Sequence, residues 1–386
     1  MDDALQVPSP AWMSEEHVML EDHARKFFAS EFSPHIDQWS DDGVMPRGMW
    51  SRAGEAGLLT ASMPEEYGGS GGTFAHEAVI LREIGLAGLD FWGWPIHATI
   101  VAPYLLHHGT EEQKKAWLPK MATGEFVAAL AMTEPGTGSD LQAITTRAER
   151  SGNGWTLNGA KTFITNGQHA NLVVVAAQTQ PGAGAKGISL FVVETDKAEG
   201  FRRGRKLKKL GIDAADTSEL FFDDVKLPAE ALLGAETGRG FYQMMQELPQ
   251  ERLTIAGGAV AMIERALRLT IDYVKQRKAF GKPILDFQNT QFTLAECKTE
   301  ATIAKVFYND CVSRLIEGRL DTATASMAKY WTSDLQNKIV DRCLQLFGGY
   351  GYMEEYPISR MYRDARIQRI YGGTNEIMKV LIARTL

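Results

Sequence analysis

The spacing of hydrophobic and polar positions changes period twice along the chain. From residue 14 to about residue 121 it is helical: Val18, Ala24, Phe27 and Phe28 follow the start signal Ser14-Glu15-Glu16-His17, and Val79, Ile80, Glu83 and Ile84 lie in a second run. Pro64-Glu65-Glu66-Tyr67-Gly68-Gly69-Ser70-Gly71-Gly72 separates the two as a loop, because glycine at that density serves neither helix nor strand. From about residue 126 to 233 the pattern shortens to strands, with apolar or β-branched runs at 155–159, 172–177, 188–193 and 219–225. Glycine-rich turns punctuate them at 151–154 and 181–184. No long helical pattern intervenes, so an antiparallel domain is expected rather than parallel crossovers. From Gly240 the pattern is helical again and longer, with a helix expected from near Pro249 to Arg277. Leu294, Cys297, Ala301, Ala304, Tyr308, Cys311 and Leu315 step by three or four residues as one buried stripe, and Ala323, Met327, Tyr330, Ile339, Cys343 and Phe347 lie in another long run. Breaks at 318–321 and 347–351 make these an antiparallel bundle. The chain thus divides into a helical domain, 1–124, a β domain, 125–238, and a helical bundle, 239–386.

Composition adds limits. The 386 residues, 44% hydrophobic and 23% charged, suffice for a large core and two or three domains and run against disorder. Lysine plus arginine number 41 against 48 aspartate plus glutamate, and this net charge of −7 argues against a nucleic-acid binder. The basic run Arg202-Arg203-Gly204-Arg205-Lys206-Leu207-Lys208-Lys209 is expected to be a solvated loop that helps steer anions. Cys297, Cys311 and Cys343 lack metal-type spacing and suit a reducing compartment. The histidines, His107-His108 included, show no ligand spacing, so no metal is expected. The acidic, polar amino terminus resembles neither a signal nor a transit peptide, and the most apolar stretch, 253–263, is too short to span a bilayer. A soluble cytoplasmic protein without membrane insertion is expected.

Five motifs concentrate the candidate chemistry. Ala131-Met132-Thr133-Glu134-Pro135-Gly136-Thr137-Gly138-Ser139-Asp140 exposes backbone N–H groups and hydroxyls that suit an electron-rich ring or a phosphate, although its composition also fits a turn-rich domain connection. It is not GxGxxG, and no such string follows a strand, so a Rossmann site has no support. Lys161-Thr162-Phe163-Ile164-Thr165-Asn166-Gly167 fits a strand running into a turn. In Arg277-Lys278-Ala279-Phe280-Gly281-Lys282 the cations serve either a helix dipole or a pyrophosphate. Gln345-Leu346-Phe347-Gly348-Gly349-Tyr350-Gly351 and Tyr371-Gly372-Gly373-Thr374-Asn375-Glu376 can each be a glycine-capped helix end.

Taken in order, TEPGTGSD, KTFITNG, RKAFGK, QLFGGYGY and YGGTNEI, with PEEYGG and DTSELFFDDVKLPAEALLG, resemble the acyl-CoA dehydrogenase family over essentially the whole chain. ELPQERL and YGGTNEIMK resemble its long-chain branch. The resemblance implies an α+β fold: an all-α amino-terminal domain, an antiparallel β-barrel-like middle domain and a carboxy-terminal four-helix bundle. It also implies FAD as cofactor, acyl-CoA as substrate, a trans-2-enoyl-CoA product, electron-transfer flavoprotein as acceptor and a homotetramer. By the same resemblance Leu130, Met132, Thr133, Gly138 and Ser139 line the flavin, with Ser139 also touching CoA. Phe163, Ile164 and Thr165 lie against the ring, with Thr165 beside N5, which takes the hydride. Phe163 stands where the family often has tryptophan, so stacking survives without the indole N–H. Arg277, Phe280, Gln288, Gln345, Leu346, Phe347, Gly348 and Gly349 hold the pyrophosphate and adenosine, partly across a subunit boundary, and Thr374 and Glu376 complete that site.

The α-proton of a thioester is weakly acidic, so its removal needs a carboxylate within hydrogen-bond reach in a dry site. Many family members carry that glutamate where this chain has Gly372. The long-chain and isovaleryl branches place it on the first helix of the last domain, and Glu251 in Pro249-Gln250-Glu251-Arg252 matches. On composition alone Glu251 also reads as a first-turn glutamate serving the helix dipole, and Glu247 and Glu376 are rival bases. Tyr242, Pro249, Gln250, Arg252 and Gly373 join Glu251 and Gly372 as expected substrate contacts, with the Gly372 N–H available to the thioester carbonyl. The substrates expected are medium to long straight chains. An acyl-CoA oxidase using O₂, or a catalytically inactive CoA-binding homologue, are the alternatives.

Overall fold

The computed structural model describes Leu5 and residues 7–386; residues 1–4 and Gln6, part of the acidic terminus discussed above, lie outside the described residues. The amino-terminal part is built on α1 (Glu15–Glu31), α2 (Ile36–Asp42), α3 (Gly48–Glu55), α4 (Phe74–Ala87), α5 (Ala102–His108) and α6 (Glu111–Ala122). A π-helical turn, Ile96–Val101, feeds directly into α5. α1 starts where Ser14 and His17 close a capping box, Ser14 Oγ lying 2.7 Å from His17 Nδ1. Its buried positions are His17, Ala24 and Phe28, whereas Val18 is 55% exposed. The stripe drawn through Val18 is therefore displaced by one residue, because His17 turns inward against Trp12 and His76.

The middle part is a curled sheet of β1 (Ala128–Ala131), β2 (Arg147–Ser151), β3 (Gly154–Thr165), β4 (Leu172–Gln178), β5 (Ile188–Glu194), β6 (Phe201–Lys206) and β7 (Thr217–Leu227). The strand order is β1-β4-β2-β3-β7-β6, with β5 on β4. Most neighbours are antiparallel as expected, but β1 pairs in parallel with β4 from Ala128↔Leu172 to Ala131↔Val175, and β2 meets β4 in parallel at Arg147↔Gln178. A parallel pair needs a long crossover, and here the 132–146 loop and the β2–β3 hairpin supply it in place of a helix. β4 is buried at every position, between the helical part and the rest of the sheet. Only the end of the basic run is a loop: Arg202 to Lys206 lie in the edge strand β6, where lysine and arginine discourage pairing with another chain, and Leu207, Lys208 and Lys209 follow it outside any strand. Arg203 is tied inward, donating to the Ala170 carbonyl at 2.7 Å.

The carboxy-terminal part comprises α7 (Gly240–Gln276), the hairpin β8 (Lys278–Ala279) and β9 (Lys282–Pro283), α8 (Gln288–Ile316), α9 (Thr322–Phe347), α10 (Pro357–Ala365) and α11 (Asn375–Ala383). α7 begins at Gly240 rather than near Pro249 and runs through the proline. The ring removes one N–H from the helical ladder, a loss that packing of α7 on α4, α8 and α9 offsets. Glu251 therefore lies about three turns inside the helix, beyond the reach of its amino-terminal dipole. The α8 stripe is buried as expected, with Leu315 half-buried. On α9, Ile339, Cys343 and Phe347 are inside, but Met327 is exposed while Lys329 and Gln336 are buried. Among the described residues no helix is long and apolar enough to cross a membrane.

Candidate active site

The TEPGTGSD and KTFITNG stretches are fastened together from beneath. Lys161, fully buried on β3, donates to the Met132 carbonyl and to Glu134 Oε1, both at 2.9 Å. Glu134 also accepts from the Thr145 N–H and hydroxyl and from the Thr146 N–H. Burial works against its charge, yet Lys161 and these donors hold its carboxyl well below the usual range. The Thr162 N–H donates to the Thr133 carbonyl at 3.0 Å. With the inner side satisfied, the loop turns Gly138 and Ser139 to solvent and leaves Leu130, Met132 and Thr133 half-buried. Next to it Ile164 is buried and Thr165 half-buried, while Phe163 is 67% exposed at φ 60° beside a break in the β3–β7 register. A bulky side chain at positive φ is costly, and such strain gathers at functional sites.

A second group lies at the far end of the bundle. Arg277, Phe280, Gln288, Gln345, Gly348 and Gly349 are exposed, and Leu346 is half-buried. Phe347 is buried, stacked on Tyr273 at 4.2 Å, and Arg277 sits over Tyr350 at 5.4 Å. Gly348 has φ 59°, and a Cβ on it or on Gly349 would meet nothing within 4 Å. Thr374 caps α11, and Glu376 is exposed in that helix's first turn. Asn375 bonds to Ser333 and Asp334, about 20 Å along α9 from Gly348, so Thr374 and Glu376 stand apart from 345–349 within one chain. Among the described residues no hydrogen bond, ion pair or ring contact joins the loop around Thr133 and Phe163 to the bundle end around Arg277.

The candidate base lies between α5 and α7. Glu251 is buried and accepts from the Tyr104 hydroxyl at 2.9 Å. Burial pushes its carboxyl up to about 7; the Tyr104 bond pulls it down, Glu247 adds to the rise and Arg252 opposes it. Glu247, one turn earlier, accepts from His107 Nδ1 and His108 Nε2, both at 2.9 Å. Burial raises its carboxyl, but the two imidazoles prevail and hold it below the ordinary value. Of the three candidate carboxylates, Glu247 is committed to histidines and Glu376 is in solvent, which leaves Glu251 buried on one neutral donor. Gly372 has φ 62°, and a Cβ there would fall 2.2 Å from Ile255 Cδ1, one turn after Glu251 on α7. Buried Lys329 pins this loop by donating to the Gly373 carbonyl at 2.7 Å and to Asn375 Oδ1 at 3.0 Å.

An open cleft of about 450 Å³ runs beside Glu247, bordered by His107, His108, Pro249 and Gln250. Gln250 donates to the Thr99 carbonyl at 2.8 Å, tying α7 to the π-helical turn. Arg252, expected to contact substrate, is buried and turned toward Ser326 of α9 at 3.3 Å, its Nε unbonded. Tyr242 is 46% exposed, about 13 Å before Glu251 along α7. Tyr104, Ile255, Lys329 and the pairing of Glu134 with Lys161 are not written in the motifs. One signal for Tyr104 was present: Tyr104 and His108 are spaced i,i+4, as are Glu247 and Glu251, so antiparallel helices pair them crosswise.

The acyl-CoA dehydrogenase amino-terminal, middle and carboxy-terminal domain models match residues 14–125, 129–225 and 238–386. The chain belongs to the acyl-CoA dehydrogenase family. It is 50% identical over 375 residues to the mitochondrial long-chain specific acyl-CoA dehydrogenase of Mus musculus, covering 97% of this chain and 87% of the mouse protein. The crystal structure of an acyl-CoA dehydrogenase from Geobacillus kaustophilus superposes with a TM-score of 0.95 at 47% identity, covering 98% of this chain and 99% of that one. A glutaryl-CoA dehydrogenase from Mycobacterium smegmatis, solved in complex with FADH2, has a TM-score of 0.91 at 28% identity, covering 97% and 95%. Acyl-CoA dehydrogenases are FAD-dependent oxidoreductases acting on acyl-CoA, and this chain is an enzyme of that family.

Proposed function

We propose that the protein removes two hydrogens across the α,β bond of medium- to long-chain straight acyl-CoA thioesters, giving the trans-2-enoyl-CoA, with Glu251 taking the α-proton. The observation that carries this reading is a pairing of positions. Gly372 offers no carboxylate, and the loop that holds it rests on Ile255, one turn from buried Glu251. A carboxyl titrating near 7 is matched to proton abstraction at neutral pH. The Gly372 N–H is the donor proposed for the thioester carbonyl, where negative charge develops. The name and 50% identity of the mouse relative support the chain length.

The residues present fit FAD. Phe163, held out of its sheet at positive φ beside the open loop with Thr133 and Ser139, suits a flat ring. Exposed Arg277 and the unobstructed Gly348-Gly349 backbone suit a pyrophosphate. Leu130, Met132, Thr133, Gly138, Ser139, Phe163, Ile164 and Thr165 would hold the flavin, and Arg277, Phe280, Gln288, 345–349, Thr374 and Glu376 the remainder. The chemistry supplied by bound FAD is acceptance of the β-hydrogen as hydride. Among the described residues no contact joins the flavin loop to Arg277 and 345–349, and Thr374 and Glu376 stand apart from the latter, so the reading includes a homotetramer whose neighbouring subunit supplies the Arg277 and 345–349 group. Electron-transfer flavoprotein is the proposed acceptor.

The test is anaerobic bleaching of the flavin by acyl-CoAs of graded length. Wild type should bleach fastest with medium to long straight chains, and Glu251→Gln should stay yellow, bind ligand and bleach about 10² to 10⁴ more slowly. Normal bleaching by Glu251→Gln removes Glu251 as the base. A wild type that no acyl-CoA bleaches is the inactive homologue, and turnover in air matching that with an artificial acceptor marks an oxidase.

A further inference from the structure

We propose that Tyr104 is the positioning residue of the relocated base, its hydroxyl on α5 holding the Glu251 carboxylate of α7 by a 2.9 Å hydrogen bond. The inference rests on Glu251 being the base and adds what makes a mid-helix glutamate usable as one. A glutamate on a helix has several rotamers, and proton abstraction tolerates an error of only about 0.5 Å. Tyr104 is fully buried, so no bulk water competes for its proton. Burial and the neighbouring Glu251 carry its own ionisation well above the ordinary tyrosine value, which keeps it a donor wherever the enzyme works. The bond is one rung of a two-rung ladder: four residues on, His108 donates to Glu247, four residues back on α7. His107 grips the same Glu247 oxygen, so α5 and α7 are held in register one turn before the Glu251 carboxylate.

The charged and titratable groups around Glu251 are Tyr104 from α5, Glu247 and Arg252 from α7, and, behind Arg252, Lys329 from α9. His107 and His108 act through Glu247. Arg252 bonds to Ser326, and Lys329 to Gly373 and Asn375. Tyr104 is therefore the group given to the Glu251 carboxylate as a direct hydrogen-bond donor. A donor bonds the carboxylate more strongly than the neutral acid, so Tyr104 lowers the pH at which the base becomes active as well as aiming it.

The experiment is the pH profile of flavin bleaching by dodecanoyl-CoA in single turnovers of the FAD-loaded enzyme, from about pH 5 to about pH 9. Three proteins are compared with wild type: Tyr104→Phe, the protein with tyrosine 104 replaced by meta-fluorotyrosine, and Glu251→Gln. Tyr104→Phe loses the donor, so the acid limb should move up by about one unit and the plateau should fall severalfold. The fluorinated tyrosine keeps the shape and donates more strongly, so its limb should move down. A merely structural role for Tyr104 lowers the plateau without moving the limb in opposite directions. If both limbs stay put while Glu251→Gln remains slow, the positioning role is overturned and the base assignment stands. If Glu251→Gln bleaches normally, both fall. Should Tyr104→Phe fail to retain its flavin, the isosteric fluorinated protein decides alone: a limb that does not move down overturns the proposal.

Discussion

Glu251 carries a carboxyl raised by burial from an ordinary 4.5 to about 7, and this couples its protonation to folding. Its folded value lies above its unfolded one, so the folded chain holds the proton more tightly. The resulting stability is complete below about pH 4.5 and is lost as the pH rises through about 7. Glu251→Gln keeps the neutral form at every pH. The variant should therefore be more stable than wild type above pH 7, by about 1–3 kcal/mol, and indistinguishable below pH 4.5. Denaturant unfolding at several pH values reads this directly, and a difference that does not vary with pH would count against it. Gly372 sets a second residue-scale limit. Returning a glutamate there in the Glu251→Gln background meets Ile255 Cδ1 at 2.2 Å and a left-handed backbone. Gly372→Glu alone should restore little bleaching, and Ile255→Ala in addition should restore more by clearing the Cβ. Equal activity with and without Ile255→Ala would show that Ile255 is not the obstacle.

At the scale of elements, the Glu134–Lys161 pair decides whether the 132–139 loop and the end of β3 present one surface. Lys161→Met leaves Glu134 buried without its cation, which costs about 3–5 kcal/mol where a buried pair is broken. The expected outcome is a lowered melting temperature together with weakened FAD retention, and Lys161→Met with Glu134→Gln should recover part of the stability. A single variant that melts like wild type would refute the role. These elements also show what the pattern of residues can and cannot carry. The α8 stripe and strands β3, β4, β5 and β7 were legible because each is written in local periodicity. The passage of α7 through Pro249, the parallel β1–β4 pair and the β6 edge were not, because packing of distant segments overrides local preference there. In the candidate site, Gly372 stood out as a missing side chain within a motif, and this pointed the proposal to Glu251. Tyr104 stood out less, since Ala102, Pro103, Tyr104 and Leu105 are all buried and the polar residues of α5 are confined to His107 and His108 at its end, leaving the spacing to His108 as the one signal.

At the scale of the whole molecule, the proposed FAD ligands fall into groups that no contact connects among the described residues. Phe280, at the tip of the β8–β9 hairpin, is 97% exposed with φ 50°, and Tyr352, just beyond α9, is 83% exposed. Aromatic rings held in water cost the isolated chain solvation and offer surface to a partner. If a neighbouring subunit supplies the second half of each site, flavin binding and assembly are linked, and each strengthens the other by the same free energy. Dilution should then release FAD in step with dissociation, followed by flavin fluorescence and by sedimentation on the same samples. Added FAD should shift the assembly midpoint to lower protein concentration. Phe280→Asp should weaken both processes while leaving the helical circular dichroism unchanged, because the ring touches little in its own chain beyond Phe287. A dissociated subunit that keeps FAD as tightly as the assembly would separate the two processes and place the whole cofactor site within one chain.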